Sequence, residues 1–287
     1  MIKKILIALI VLTIPLSFIF AQEDLGIREP DILPGNPFYF LKNIRRGIQS
    51  FFTFDQVGKL ELKAKYASER LLEMRELVER KEEELYDKAI ENYQKAIEEI
   101  AERTEKIKEK VRGNPKIDSF LNKFTKHQAL HHGILEELTE KVPERVMERI
   151  REAREKHLEK FGEVMEKLEK KERIRERLEK NLKERDPIKG LKRMRFLKDI
   201  EEKISSGIRN EIRRIRNRFS QDIANEMDNM KPGIKEKIQN YTEKIKNGAE
   251  RSIEMIEEVK NRVRNSEARK NLEEAENKIR ENIKNSE

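Results

Sequence analysis

The chain has 287 residues, of which 42% are charged and 36% hydrophobic, and its formal net charge is +8. Such a composition also occurs in disordered chains, but here the apolar residues recur at regular spacing among helix-compatible Glu, Lys, Arg, Leu and Ile. The absence of cysteine excludes a disulfide framework, a thiol nucleophile and Cys-ligated zinc. Composition therefore predicts an all-α protein built from helices with narrow apolar stripes.

The amino terminus has the pattern of a secretory signal peptide. Lys3-Lys4 precedes an apolar stretch over residues 5–20, and the small residue Ala21 comes before polar residues. A basic start, an apolar centre and a small final residue are typical of such peptides. We expect residues 1–21 to be removed and the protein to be secreted or held in the cell envelope. An uncleaved membrane anchor is the alternative.

An aromatic segment follows a lead over residues 22–37, in which prolines exclude a helix. Residues 38–54 predict a short amphipathic helix, and Asp55 is a plausible N-cap for the next helix. A basic, aromatic helix can lie in a membrane interface, but such a cluster more often plugs one end of a bundle. We expect the plug, because a second helix follows at once. The five aromatic residues are Phe38, Phe40, Phe51, Phe52 and Phe54.

The middle of the chain predicts an antiparallel bundle. Apolar residues over 60–78 and 86–111 step alternately by four and three, the heptad pattern of helices that pack at a shallow angle. Gly113 and Pro143 mark turns between further helices, the last of which is expected to run to about residue 185. Residues 38–185 are therefore predicted to form an elongated helical bundle domain.

The last third, residues 186–287, predicts a basic arm of long, coiled-coil-like helices. Apolar residues from Ile204 to Met230 mostly step by four, and the stripe restarts after Pro232. Narrow stripes of this kind must be buried against another surface. The expected partner is the protein's own bundle, a second copy of the chain or another protein.

One opening motif resembles a known family. Residues 34–42, Pro-Gly-Asn-Pro-Phe-Tyr-Phe-Leu-Lys, continue through Phe-Phe-Thr-Phe-Asp at residues 51–55. This segment, together with a helical hairpin near residues 135–143, resembles a family of exported, mostly α-helical microbial domains of unknown function. The resemblance covers about residues 30–170. It implies export and a helical domain, but no activity and no catalytic residues.

Three histidines suggest a metal site. His127 and His131 are four residues apart on one helix face, and an antiparallel hairpin turning at Pro143 brings His157 alongside. Three imidazoles between two helices could bind zinc, copper or nickel. The alternative is a set of hydrogen-bonded histidines in a helix interface.

A basic segment suggests anion binding. Residues 186–218 hold eleven Lys and Arg against five acids. Such a face could bind anionic lipid or cell-surface polymer, whereas the small number of aromatic residues makes nucleic acid a poorer fit. The alternative is a solvated face balanced by acids of a neighbouring helix. The candidate residues are Arg209, Arg213, Arg214, Arg216 and Arg218.

No motif for catalysis or for a cofactor stands out. The sequence therefore predicts a non-catalytic structural or interaction protein that acts through helix–helix contacts outside the cytoplasm. The second possibility is a ligand-binding protein, with metal at the histidines or anionic surfaces at the arginines. Membrane contact would need the uncleaved signal or a peripheral helix.

Overall fold

The structure, a computed structural model, describes residues 25–111, 113–184, 186–229, 233–243, 245 and 249–284. Within these ranges it contains eleven α-helices and no strand, which confirms the predicted all-α bundle. The predicted signal peptide lies outside the described residues. The helices are α1 (Tyr39–Phe52), α2 (Gln56–Glu79), α3 (Tyr86–Ile107), α4 (Pro115–Thr139), α5 (Glu144–Leu168), α6 (Lys171–Leu182), α7 (Pro187–Lys203), α8 (Ser206–Asp228), α9 (Ile234–Glu243), α10 (Ala249–Lys260) and α11 (Ser266–Lys284).

Side-chain caps explain where several helices begin. The Asp55 carboxylate accepts the backbone N–H of Gly58 at 3.0 Å and caps α2, as the sequence predicts. Asn114 caps α4 in the same way, directly before a proline at the first helical position. Asp186, expected only to end a helix, caps α7 by accepting two backbone N–H groups. These caps set the lengths of the helices that pack around one another.

The helices α2 to α5 form the first part of the core. Helix α2 packs against α3 and α4, and α5 packs against α3 and α4. The α4–α5 hairpin is antiparallel, as the sequence predicts, because His157 near the middle of α5 contacts Gln128 near the middle of α4.

The predicted long helices beyond residue 143 are interrupted. Helix α5 ends before Glu169, which has extended backbone angles and places its buried carboxylate against Arg177 of α6. Helix α7 ends at Ile204, and the following Ser205 N–H donates to Glu166 at 2.9 Å. The apolar periodicity continues across both breaks. It therefore does not reveal them, whereas polar groups at both breaks hydrogen-bond to residues outside the local helix.

The basic arm shares one hydrophobic core with the bundle. The buried apolar residues from Leu25 to Ile279 form a single cluster. Phe161 of α5 and Phe196 of α7 lie with ring centroids 5.6 Å apart, and α10 packs on both α7 and α8. The apolar stripes of α7, α8, α10 and α11 are thus buried within the chain itself.

Buried charges connect the two parts. Arg195 of α7, only 1% exposed, pairs with Glu136 of α4 and donates to the Ser252 hydroxyl of α10 at 2.9 Å. His132 Nε2 lies 2.7 Å from the carboxylate of Asp199. Burial alone would raise the pKa of Asp199, but the hydrogen bond with His132 and nearby arginines lower that pKa below its ordinary value.

Candidate docking surface

Helix α1 turns its apolar side to solvent. Of the residues that the structure describes, eight large hydrophobic ones are exposed, by 48% to 79%, and all lie in residues 38–54. We call this set the α1 face. Its members are Phe38, Phe40, Leu41, Ile44, Ile48, Phe51, Phe52 and Phe54.

The expected aromatic plug is therefore wrong. Each of the five phenylalanines predicted to close the bundle, namely Phe38, Phe40, Phe51, Phe52 and Phe54, is more than half exposed. The physical reason is that the opposite, polar side of α1 is the side that contacts the bundle.

A single buried carboxylate holds that polar side. Glu73 of α2 is 1% exposed. One of its oxygens accepts from Lys42 at 2.7 Å and Arg46 at 3.0 Å, and the other accepts from the Tyr39 hydroxyl at 2.6 Å and Arg70 at 3.0 Å. Three of these donors belong to α1. Charge-assisted hydrogen bonds of this number and length fix both the position and the rotation of the helix.

Further contacts extend this attachment along α1. Arg46 also donates to Glu69 through Nε at 3.1 Å and Nη2 at 2.7 Å, and its guanidinium lies 5.5 Å from the centroid of the Tyr66 ring. The Tyr66 hydroxyl donates to the Arg46 carbonyl at 3.1 Å. We call the contacts of Glu73, Glu69 and Tyr66 with α1 the ionic clasp. It leaves the apolar side of α1 with no partner in the described part of the chain.

The α1 face is large for a monomer. Aromatic side chains carry ~150–250 Å² each, so eight side chains exposed to this extent present roughly 900 Å² of surface. The largest apolar patch of a typical monomer is ~300–600 Å², and larger patches mark interaction sites. The geometry therefore indicates a docking surface.

The three predicted histidines lie near one another but do not form a metal site. His131 and His157 have ring centroids 5.7 Å apart, and the half-buried His127 is close enough for its charge to help lower the pKa of His131. No group of three or more His, Cys, Asp or Glu among the described residues is arranged to hold a metal ion.

Hydrogen bonds occupy both rings of the pair. His157 Nε2 donates to the Gln128 carbonyl at 3.0 Å, so its Nδ1 accepts from the Tyr93 hydroxyl at 2.9 Å. The Tyr93 oxygen then accepts from His131 Nδ1 at 3.2 Å, and His131 Nε2 accepts from Ser68 at 2.8 Å. No ring lone pair is left for a metal.

Both rings are kept neutral. Burial, with a smaller contribution from His132 nearby, lowers the pKa of His157 to about 3. Burial and the neighbouring His157 lower the pKa of His131 well below its ordinary value. The pair is therefore a structural element of the α4–α5 interface.

Three of the five predicted anion-binding arginines meet Glu201. Arg213 contacts its carboxylate at 2.9 Å, and Arg216 lies 3.7 Å from it and 3.6 Å from Glu258. Arg209 donates to the Glu201 backbone carbonyl at 3.0 Å, near the end of α7. These contacts hold the start of α8 against α7.

The other two arginines are also paired. Arg214 contacts Glu211 at 2.8 Å, and Arg218 contacts Glu179 of α6 at 2.8 Å. The structure therefore matches the alternative in which neighbouring acids balance the basic face, and it gives no support to an anion site there.

Sequence reasoning missed the residues of the ionic clasp. Glu69 and Glu73 are four apart on α2, and Lys42 and Arg46 are four apart on α1. One helix thus carries an acidic pair and its neighbour a basic pair, each with the spacing of one helical face. This complementarity is a signal that could have identified the contact. The spacing of apolar residues does not contain this signal.

In the described residues, the fold and surface define an all-helical protein with an outward-facing apolar helix. A family model described as "Domain of unknown function (DUF5667)" matches residues 31–286. The chain belongs to that family. The match includes the basic arm, so the expected end of the resemblance near residue 170 is corrected.

Other comparisons add little. No curated protein matches this chain. Among solved structures, a chain described as "Computational Design of Self-Assembling Cyclic Protein Homooligomers" is 14% identical and covers 84% of this chain and 89% of its own length, with a TM-score of 0.36. A TM-score this low supports no conclusion about assembly.

We predict that Glu73→Ala releases α1 while the rest of the core stays folded. Breaking a buried ion pair by removing one partner costs ~3–5 kcal/mol, because Lys42 and Tyr39 would lose their carboxylate partner and Arg46 would keep only Glu69. Limited trypsin digestion with mass spectrometry should show faster cleavage after Arg45 and Arg46. The control is Glu76→Ala, one turn away, which loses only an i,i+4 pair with Arg80. Equal cleavage rates in the two variants would contradict the prediction.

The histidine pair predicts a loss of stability in mild acid. A histidine of ordinary pKa near 6.5 binds a proton in the unfolded chain, whereas His131 and His157 stay neutral when folded. The unfolded state thus binds more protons below pH 6.5, and stability falls as pH falls. Each histidine should lower the free energy of unfolding by about 2 kcal/mol between pH 7 and pH 5.

Urea unfolding at pH 7, 6 and 5 measures this loss. His157→Gln, although less stable at pH 7, should lose less stability over the same pH range than the parent chain. A parent chain whose free energy of unfolding is constant from pH 7 to pH 5 would show that the two rings are not kept neutral.

Proposed function

We propose that the protein is an exported, non-catalytic interaction protein that docks through the α1 face. The observation that carries this proposal is the orientation of α1. The cationic side of α1 contacts the bundle through the ionic clasp, and its apolar side is exposed to solvent. Exposing so much apolar surface is unfavourable by roughly 25 cal/mol per Å², so a surface of this kind is expected to be covered in the working state.

Export is supported by the amino-terminal pattern. Lys3-Lys4, the apolar stretch over residues 5–20 and Ala21 have the order of a signal peptide. From this pattern we propose that docking takes place outside the cytoplasm, in the envelope or beyond it. Among the described residues, no helix is long and apolar enough to cross a membrane.

The ligand-binding alternative has no comparable observation behind it. The histidine pair has no free ring lone pair, and the five arginines contact acids or carbonyls of their own chain. The α1 face, in contrast, has unpartnered surface of the size that specific protein interfaces use. Helix packing thus fits the structure better than ligand binding.

Thiol labelling in intact cells tests export and docking together. The chain has no cysteine, so Ile48→Cys on the α1 face and Lys126→Cys on exposed α4 can each carry a single thiol. A membrane-impermeant maleimide should label the control Lys126→Cys in intact cells. It should label Ile48→Cys several-fold more slowly in cells than in dilute purified protein.

Two outcomes would count against the proposal. A control thiol that reacts only after lysis would contradict export. An Ile48→Cys thiol that reacts equally fast in cells and in dilute solution would show that nothing covers the α1 face.

A further inference from the structure

The residues of the α1 face are arranged symmetrically along the chain. Its eight members form four pairs. In each pair, one residue precedes position 46 by the same number of residues as the other follows it. Helix α1 spans residues 39–52, so this position lies within half a residue of the centre of the helix. The pairs are Phe38 with Phe54, Phe40 with Phe52, Leu41 with Phe51 and Ile44 with Ile48.

Such symmetry has a definite physical meaning. When two copies of one helix pack antiparallel about a two-fold axis, a residue at a given distance before the axis lies in the same layer of the interface as the partner's residue at the same distance after it. An isologous interface requires a self-complementary patch of this kind. Here every pair is apolar with apolar, so no member of the α1 face would oppose a charge.

We propose that the α1 face binds the α1 face of a second copy of this chain, antiparallel, with a two-fold axis at the level of residue 46 along the helix and on the side opposite to Arg46. This inference rests on the proposed docking function and names its partner. The central contact would be Ile44 against the opposite Ile48, flanked on either side by Leu41 against Phe51. The phenylalanines would close both ends.

The area of the face suits such a dimer. The roughly 900 Å² that the α1 face presents compares with about 800 Å² per partner in a standard stable interface. The ionic clasp adds preorganisation, because α1 is already helical and held in one rotation before it meets its partner. Pairing therefore does not have to bear the cost of ordering the helix.

A second copy fits better than a lipid surface. Helices that lie in membrane interfaces keep lysines and arginines on the polar face for headgroups. In α1, Lys42 and Arg46 instead contact Glu73 of the same chain. That leaves Arg45 as the cation bordering the apolar face.

Cross-linking with two single-cysteine proteins tests the inference. Phe40→Cys and Phe52→Cys alter exposed side chains and leave the four central residues of the face intact. Both are made from the complete chain, which has no cysteine of its own. Each protein alone, and an equal mixture, is treated with a short bismaleimide.

Antiparallel pairing predicts covalent dimers in the mixture and few in either protein alone. Two copies of position 40 would lie about 18 Å apart along the helix axis, beyond a short linker, whereas position 40 faces the partner's position 52. Phe52→Cys mixed with Glu102→Cys on exposed α3 is the control, and this mixture should give no dimer.

Three results would overturn the inference. Dimers formed by each single variant alone would mean parallel pairing. A monomer by light scattering without cross-links would mean that no second copy binds, and flotation of that monomer with lipid vesicles would identify a membrane as the partner. If Ile48→Cys is nevertheless protected in cells, the docking function survives with a foreign partner.

Discussion

The buried carboxylate of Glu73 determines how α1 is presented. A carboxylate that is 1% exposed requires compensating donors, and Tyr39, Lys42 and Arg46 of α1 supply three of them. These donors share one side of a short helix, so satisfying Glu73 turns the opposite side outward. That opposite side carries the eight apolar residues. The exposed apolar surface is therefore a direct consequence of an ionic contact beneath it.

The rest of the fold makes this arrangement stable. Helix α2 carries Glu73 and Glu69 and is fixed by packing against α3 and α4, so the clasp is attached to a rigid support. The carboxyl-terminal helices complete the same core, and Arg195 and Asp199 join them to α4 through buried charges. Buried polar contacts of this kind are costly unless their partners are correctly placed, so they favour one packing of the helices over others.

Apolar periodicity predicted the fold class, because helix packing depends on the spacing of apolar residues, and Gly113 and Pro143 marked the turns around the α4–α5 hairpin. Neither signal revealed the polar contacts. Glu169 contacts Arg177 at a break that was not predicted, and the orientation of α1 depends on Glu73, which lies outside the apolar stripe of α2. An amphipathic helix next to a bundle is ordinarily expected to bury its apolar side. In α1 the ion pairs with α2 turn the polar side toward the bundle instead.

The histidines and arginines show the same limit. Spacing correctly placed His131 beside His157, but it could not show that Tyr93 and Gln128 occupy the ring nitrogens. The basic segment had the charge excess of an anion site, but Glu179 and Glu258, which contact it, lie outside that segment. Binding chemistry depends on which groups remain without partners, and that is a property of the three-dimensional contacts.

Tryptophan fluorescence tests the outward orientation of α1 most directly. The chain has no tryptophan, so Phe51→Trp reports on one position, and adding Ile44→Asp keeps two copies from pairing. In this double variant we expect acrylamide to quench the emission nearly as well as that of free tryptophan. Emission that stays shielded from acrylamide would mean that α1 packs its apolar side against its own bundle, and it would contradict the account.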